Sequence, residues 1–271
     1  MGDVYLTIGE AGPEVVDPLI QILELRAADA GQRAMREAYF SDVTFPPGAR
    51  VLEVGCGPGP VARALAGWPG VAEVVGVDPS PLFIAKAREL AAGLPQVSFE
   101  VGDALSLPLK DSSFDVVVFH TTLCHIPGPE RALAEALRVL RPGGTLAIFD
   151  GDYSTTTVAL SDGDPVQACV RAVLDGLIHD RWLVRRLPNL VREAGFEDVW
   201  LRGHSYVEAR SSTGYMLALI GRGADALLAR GEIGAATAEA LKAEARRRSD
   251  AGEWFGHIAY ASLTARKLST S

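Results

Sequence analysis

Three glycines at alternate positions close the run VLEVGCGPG at residues 51–59: Gly55, Gly57 and Gly59. An apolar stretch carrying one acid, Glu53, leads into them, and Pro60 opens a helical pattern behind them. Glycine is required where backbone turns tightly or where a ligand must press against it with no Cβ between. A helix that begins just after such a turn offers unpaired N–H donors. Strand, glycine turn and helix together make a cradle for a nucleoside-bearing ligand. Gly57-Pro58-Gly59-Pro60-Val61-Ala62 also fits the pattern G-x-G-x-x-G/A, with Asp78 near the expected distance downstream, so a dinucleotide is one candidate. For either ligand Asp78, which closes VVGVD, offers the several acceptor sites that ribose hydroxyls need.

Further chemistry-bearing residues follow at the ends of later apolar runs. Gly102-Asp103-Ala104 comes after the third, where Asp103 could accept from an adenine amino group or simply hold a turn. His120 and His125 follow the fourth, in FHTTLCHIP, and Asp150 follows the fifth. A neutral imidazole at His125 could take a proton from a hydroxyl, with Asp150 orienting it or binding the substrate; the alternative is that His125 fixes the loop before Pro127. Cys56, inside the glycine turn, reads as a small residue that fits. His179, His204 and His257 show no metal-ligand spacing, and no metal is expected.

These residues need a scaffold that brings strand ends together. Apolar runs predict strands at 50–54, 73–77, 97–101, 114–119 and 145–149, and amphipathic patterns between them predict helices at 61–66, 81–92 and 129–140. Near-continuous apolar strands alternating with such helices indicate a parallel sheet covered on both faces. A long helical pattern over 13–40 precedes them, broken by Pro46-Pro47-Gly48. After Asp150 the rhythm changes. Helices are expected at 166–178 and 188–194, strands near 199–207 and 257–265, and a helical insert over 214–249. The last two strands lack a crossover helix, which suggests antiparallel pairing. The segments before the first strand, 152–180 and 214–249 could fold over the carboxyl ends of the sheet as a cap. Tyr5, Tyr39, Tyr153, Trp182 and Tyr215 fall in or near them and as a set suggest an apolar or aromatic ligand.

Composition narrows the classes. The chain has 271 residues, 48% of them apolar and 22% charged, as expected of one globular domain over 1–271. A net charge of −8 argues against nucleic acid or an anionic membrane as partner, since both need a basic face. Three dispersed cysteines (Cys56, Cys124, Cys169) fit reduced thiols and a cytoplasmic location better than a disulfide framework. The sequence shows neither a leader pattern nor a membrane-length apolar run.

Taken in order, E-V-G-C-G-P-G, V-D-P-S, G-D-A-x-x-L-P-L-x-D-x-S-F-D, H-I-P and V-L-R-P-G-G resemble the class I S-adenosylmethionine-dependent methyltransferases, in the small-molecule branch with the ubiquinone/menaquinone methyltransferase-like proteins. The resemblance covers roughly residues 49–150. It implies an α/β, Rossmann-like seven-stranded sheet of order 3-2-1-4-5-7-6 with strand 7 antiparallel, helices on both faces and a helical cap. The core would span 49–150, with a cap segment over 1–48 and the remaining sheet and cap helices over 151–271. It implies S-adenosyl-L-methionine as cofactor, released as S-adenosyl-L-homocysteine, and a small-molecule methyl acceptor, with the protein a monomer or homodimer. By position, the turn from Glu53 through Gly55, Cys56, Gly57 and Gly59 would meet the methionine moiety, Asp78 the ribose, and Pro79 the flank of the adenine. Gly102, Asp103 and Ala104 would meet the adenine edge, and the backbone at His120 the methionine amino group. His125 and Asp150 are the candidate catalytic residues. O-methylation is favoured over N- or C-methylation. Two alternatives stay open: a nicotinamide-dependent oxidoreductase, though no Tyr-x-x-x-Lys pair sits in a suitable place, and a related protein that uses the bound cofactor for a reaction such as a cyclisation.

Overall fold

The computed structural model describes residues 3–209 and 214–269. Its centre is a seven-stranded sheet of order β3-β2-β1-β4-β5-β7-β6, formed by β1 Ala49–Val54, β2 Val71–Asp78, β3 Val97–Val101, β4 Phe114–His120, β5 Leu140–Thr157, β6 Glu197–Glu208 and β7 Gly256–Arg266. The strand pairs from β3 to β5 are parallel, and β7 runs antiparallel to both β5 and β6. The order reverses between β1 and β4, so the carboxyl ends of these strands diverge around a crevice in which ligands of open α/β sheets collect. Register aligns the site-bearing ends: Glu53 lies beside Gly76 on β2 and Val118 on β4, and Asp78 beside Val101. The central strands are apolar because they are covered. Val51, Leu52, Val116, Val117, Val118 and Phe119 have no solvent exposure.

The helices packed around the sheet are α1 Pro13–Ala28, α2 Ala30–Ser41, α3 Pro60–Ala66, α4 Pro81–Leu90, α5 Pro129–Val139, α6 Gln167–Leu177, α7 Leu187–Glu193, α8 Tyr215–Ala229 and α9 Ala235–Asp250. The continuous helical pattern expected over 13–40 is two helices. Asp29 leaves helical geometry, and its carboxylate accepts from the N–H groups of Gly31 and Gln32, capping α2. That break turns α2 back toward the sheet. The insert over 214–249 likewise resolves into α8 and α9. A short 3-10 segment, Val4–Glu10, kinked at Thr7, precedes α1 and had no sequence signal strong enough to be expected. Its Ile8 joins Val16, Leu19 and Phe83 in a separate apolar cluster, which docks the N-terminal segment on α4 and, through Leu177, on α6. β5 runs well past the expected end at Phe149, because pairing with β7 continues through Asp152 with Ala259 and Thr157 with His257.

Candidate active site

A cavity of about 470 Å³ opens at the crevice between β1 and β4. Of the residues expected to bind a cofactor, Glu53, Gly55, Cys56, Gly57, Pro79, Gly102, Asp103, Ala104 and His120 line it, as does His125. Gly59, Asp78 and Asp150 do not. Gly59 faces Phe99 of β3, where a Cβ would stand 2.7 Å from Cζ, so it serves packing of the turn on the sheet. Asp78 sits behind the turn, its two oxygens accepting from Gly57 N and Ser80 N at 2.9 Å each. The glycine turn is therefore held from beneath by the carboxylate at the end of β2.

The turn itself needs glycine. Gly55 and Gly57 have φ of +72° and +53°, the left-handed region that side-chain-bearing residues rarely adopt. At Gly55 a Cβ would overlap Thr122 on the loop after β4. At Gly57 the nearest atom to such a Cβ is Leu23 Cδ1 at 3.5 Å, so the backbone there faces open space.

Glu53 is 2% exposed, and its Oε2 has no hydrogen-bond partner among the described residues. Burial, with the Asp78 charge adding to it, pushes its carboxyl up to about 8 against a pull from the Ala62 N–H. Burial likewise raises Asp78 to about 6 while the Ser80 and Gly57 N–H groups oppose the shift. The folded protein thus binds more protons at Glu53 than the unfolded chain does. This contribution to stability is complete below the ordinary value of 4.5 and is lost as pH rises through about 8. With no ligand bound, stability should fall between pH 5 and pH 8, by at most about 5 kcal/mol from this group. Glu53→Gln should flatten that slope in urea unfolding. Equal slopes in the two proteins would show that Glu53 carries no such shift.

Around His125 the structure corrects one expectation. Asp150 is wholly buried beneath the cavity and accepts from Cys124 N at 3.2 Å and Gly151 N at 2.9 Å. It makes no hydrogen bond to His125. The imidazole is instead oriented by Asp3, whose Oδ2 lies 2.7 Å from Nδ1. A carboxylate only accepts, so Nδ1 carries the proton in this pair and Nε2 is the free nitrogen of the neutral ring. Asp3 is itself fixed by the N–H groups of Tyr5 and His179, and the Tyr5 ring packs against His125 at 4.3 Å. His120 contributes its side chain as well as its backbone. Its Nδ1 is 3.1 Å from Tyr39 Oη, its ring stacks on Phe149, and burial with Arg26 and Arg36 nearby holds it neutral. Asp103 both lines the cavity and holds its turn, its Oδ1 accepting from Leu105 N at 2.8 Å.

Asp3, Tyr5, Arg26, Gln32 and Arg36 come from the N-terminal segment, and Asp3, Gln32 and Arg36 had no sequence signal as site residues, while Tyr5 had only its aromatic character. Arg26 was the readable one. It continues the apolar stripe of Leu19 and Leu23 at helical spacing, and a cation on such a stripe faces the interior. Its Nη2 donates to Thr121 Oγ1 at 2.6 Å. Among the described residues no cluster of three or more potential metal ligands occurs, and no helix is long and apolar enough to cross a membrane. Trp182, expected in the cap, is 52% exposed and outside the cavity.

Comparison with known proteins agrees with this geometry. Residues 52–148 match a family described as a methyltransferase domain. The methyltransferase GfsG of Streptomyces halstedii is 35% identical over 192 residues, 68% of this chain and 63% of that protein. The phthiotriol/phenolphthiotriol dimycocerosates methyltransferase of Mycobacterium leprae is 34% identical over 197 residues, 67% of this chain and 72% of that protein. Among solved structures the 4+2 cyclase SpnF superposes with a TM-score of 0.54 at 26% identity, covering 90% of this chain and 85% of that one. The chain spans between about a third and two-thirds of the length of the first curated relatives it matches.

Proposed function

Because the chain belongs to the S-adenosylmethionine-dependent methyltransferase family, we propose that it transfers a methyl group to a hydroxyl of a small, partly apolar acceptor. The observation that carries the proposal is His125, held from behind by Asp3, in the wall of the same cavity as the glycine turn. The residues present fit the cofactor on two counts. Glu53 Oε2 is a buried carboxylate oxygen without a partner, suited to an ammonium, and the backbone at Gly57 is open to close approach. Bound there, S-adenosylmethionine would supply an electrophilic methyl carbon on a sulfonium.

Within the proposal, the turn from Glu53 to Pro58 receives the methionine end, and Asp78 fixes that turn from beneath through Gly57 N. Pro79 and the run Gly102–Ala104 flank the adenine. Asp150 holds the backbone at Cys124 and so sets the position of the loop that carries His125. With the cofactor bound, His125 would take the acceptor's hydroxyl proton at Nε2, and Asp3 would stabilise the resulting imidazolium. Most of the acceleration comes from holding oxygen, methyl carbon and sulfur in line with water excluded. The test is incubation with methyl-labelled cofactor and hydroxylated aromatic or aliphatic acceptors. Label in an ether product supports O-transfer, whereas label on carbon or nitrogen alone overturns it.

A second reading is a cyclase that retains the cofactor without spending its methyl group, and the likeness to SpnF favours it. Product formation without label transfer would distinguish that case.

A further inference from the structure

A second cavity, of about 60 Å³, adjoins the first, and Tyr5, Leu23, Arg26 and His125 stand in the walls of both. Leu174 and Leu177 of α6 and Leu219 of α8 give it an apolar lining. Two of its lining residues carry a buried polar atom that has no partner among the described residues. Thr156 on β5 is 6% exposed, and its Oγ1 has no hydrogen-bond partner; the same holds for Nη1 of Arg222 on α8. Among the described residues no carboxylate pairs with Arg222. A guanidinium stays charged at every relevant pH, and an inward-facing one without a counter-ion is costly unless a ligand supplies it.

The volume limits what that ligand part can be. By the same measure a single water needs about 10–15 Å³, so the cavity takes a group of a few heavy atoms. It admits a head group and not a whole acceptor. A hydroxyl that can donate and a guanidinium that only donates both belong to its wall, which suits an oxygen anion rather than an ammonium.

We propose that this second cavity binds a carboxylate head group of the methyl acceptor, held by Arg222 and Thr156, while the acceptor's apolar body extends past Tyr5 toward His125. The inference rests on the methyltransferase reading for what fills the larger cavity, and it adds the acceptor's class: an apolar or aromatic acid.

The test is calorimetric titration of 3-phenylpropanoate and of its neutral counterpart 3-phenylpropanol into protein saturated with S-adenosylhomocysteine. The wild type should bind the acid at least about tenfold more tightly than the alcohol. Arg222→Gln should reduce that preference to within about twofold, and Arg222→Lys should keep part of it. Affinity for S-adenosylhomocysteine should not change in either variant, which also verifies their folding. Equal binding of acid and alcohol, absent binding of the acid, or an undiminished preference in Arg222→Gln would each overturn the inference; the first outcome would mean that water satisfies the two atoms. Failure of S-adenosylhomocysteine to bind at all would instead remove the methyltransferase reading beneath it.

Discussion

Replacing His125 by alanine should lower turnover by about 10²- to 10³-fold while affinity for S-adenosylhomocysteine stays within about twofold. The split follows from position. His125 lines the cavity, but its hydrogen-bonding partner is Asp3 and its ring neighbour is Tyr5, both from the segment that precedes α1. Removing the imidazole takes away the proton acceptor and leaves the glycine turn, Glu53 and Asp78 in place. Asp3→Asn should act in the same direction and cost turnover about tenfold or more, because an amide can favour the wrong imidazole tautomer. Asp3 also holds the N–H groups of Tyr5 and His179, so that variant needs its unfolding midpoint measured alongside. Unchanged turnover in His125→Ala would remove the imidazole from the chemistry and leave positioning alone.

The second large effect is expected at Gly55. Its φ of +72° costs an alanine about 1–2 kcal/mol, and the new Cβ would collide with Thr122, with Oγ1 at 2.6 Å and the Thr122 Cβ at 3.0 Å. Overpacking of this kind adds about 1–3 kcal/mol. The turn must then move away from the loop after β4, carrying Cys56 and Gly57 out of position. Gly55→Ala should therefore lose at least about 100-fold in cofactor affinity, and part of the loss should return in Gly55→Ala/Thr122→Gly. If the single variant binds S-adenosylhomocysteine as the parent does, the turn is not the cradle.

Legibility of these features in the sequence tracks how local their causes are. The cofactor-binding half was readable because its signals are short-range: apolar runs of strand length, glycines where φ is positive, acids at strand ends. The strand order and the antiparallel β7 followed from resemblance and from the missing crossover helix, and the sheet has that order. What was hidden arises from packing between distant segments. Asp3 meets His125 across 122 residues, and nothing around Asp3 marks it as the partner of an imidazole. Asp150, just past the end of the expected strand 145–149, looked the better candidate, yet it lies within β5 and its burial ties it to backbone N–H groups. The break at Asp29 was disguised by alanines on both sides, with no proline nearby and Gly31 already inside the next helix. Thr156 and Arg222 gained their setting only because β5 continues along β7 beyond Phe149 and α8 packs on α6.

The central claim is that the cavity at the ends of β1 and β2 is built for an adenosyl sulfonium. Calorimetric titration of purified protein with S-adenosylhomocysteine, and separately with NAD⁺, tests it most directly. Saturable binding of the former at one site per chain, lost in Gly55→Ala, together with no heat from the latter, is the expected result. Binding of NAD⁺ in its place, or of neither molecule, would contradict the account.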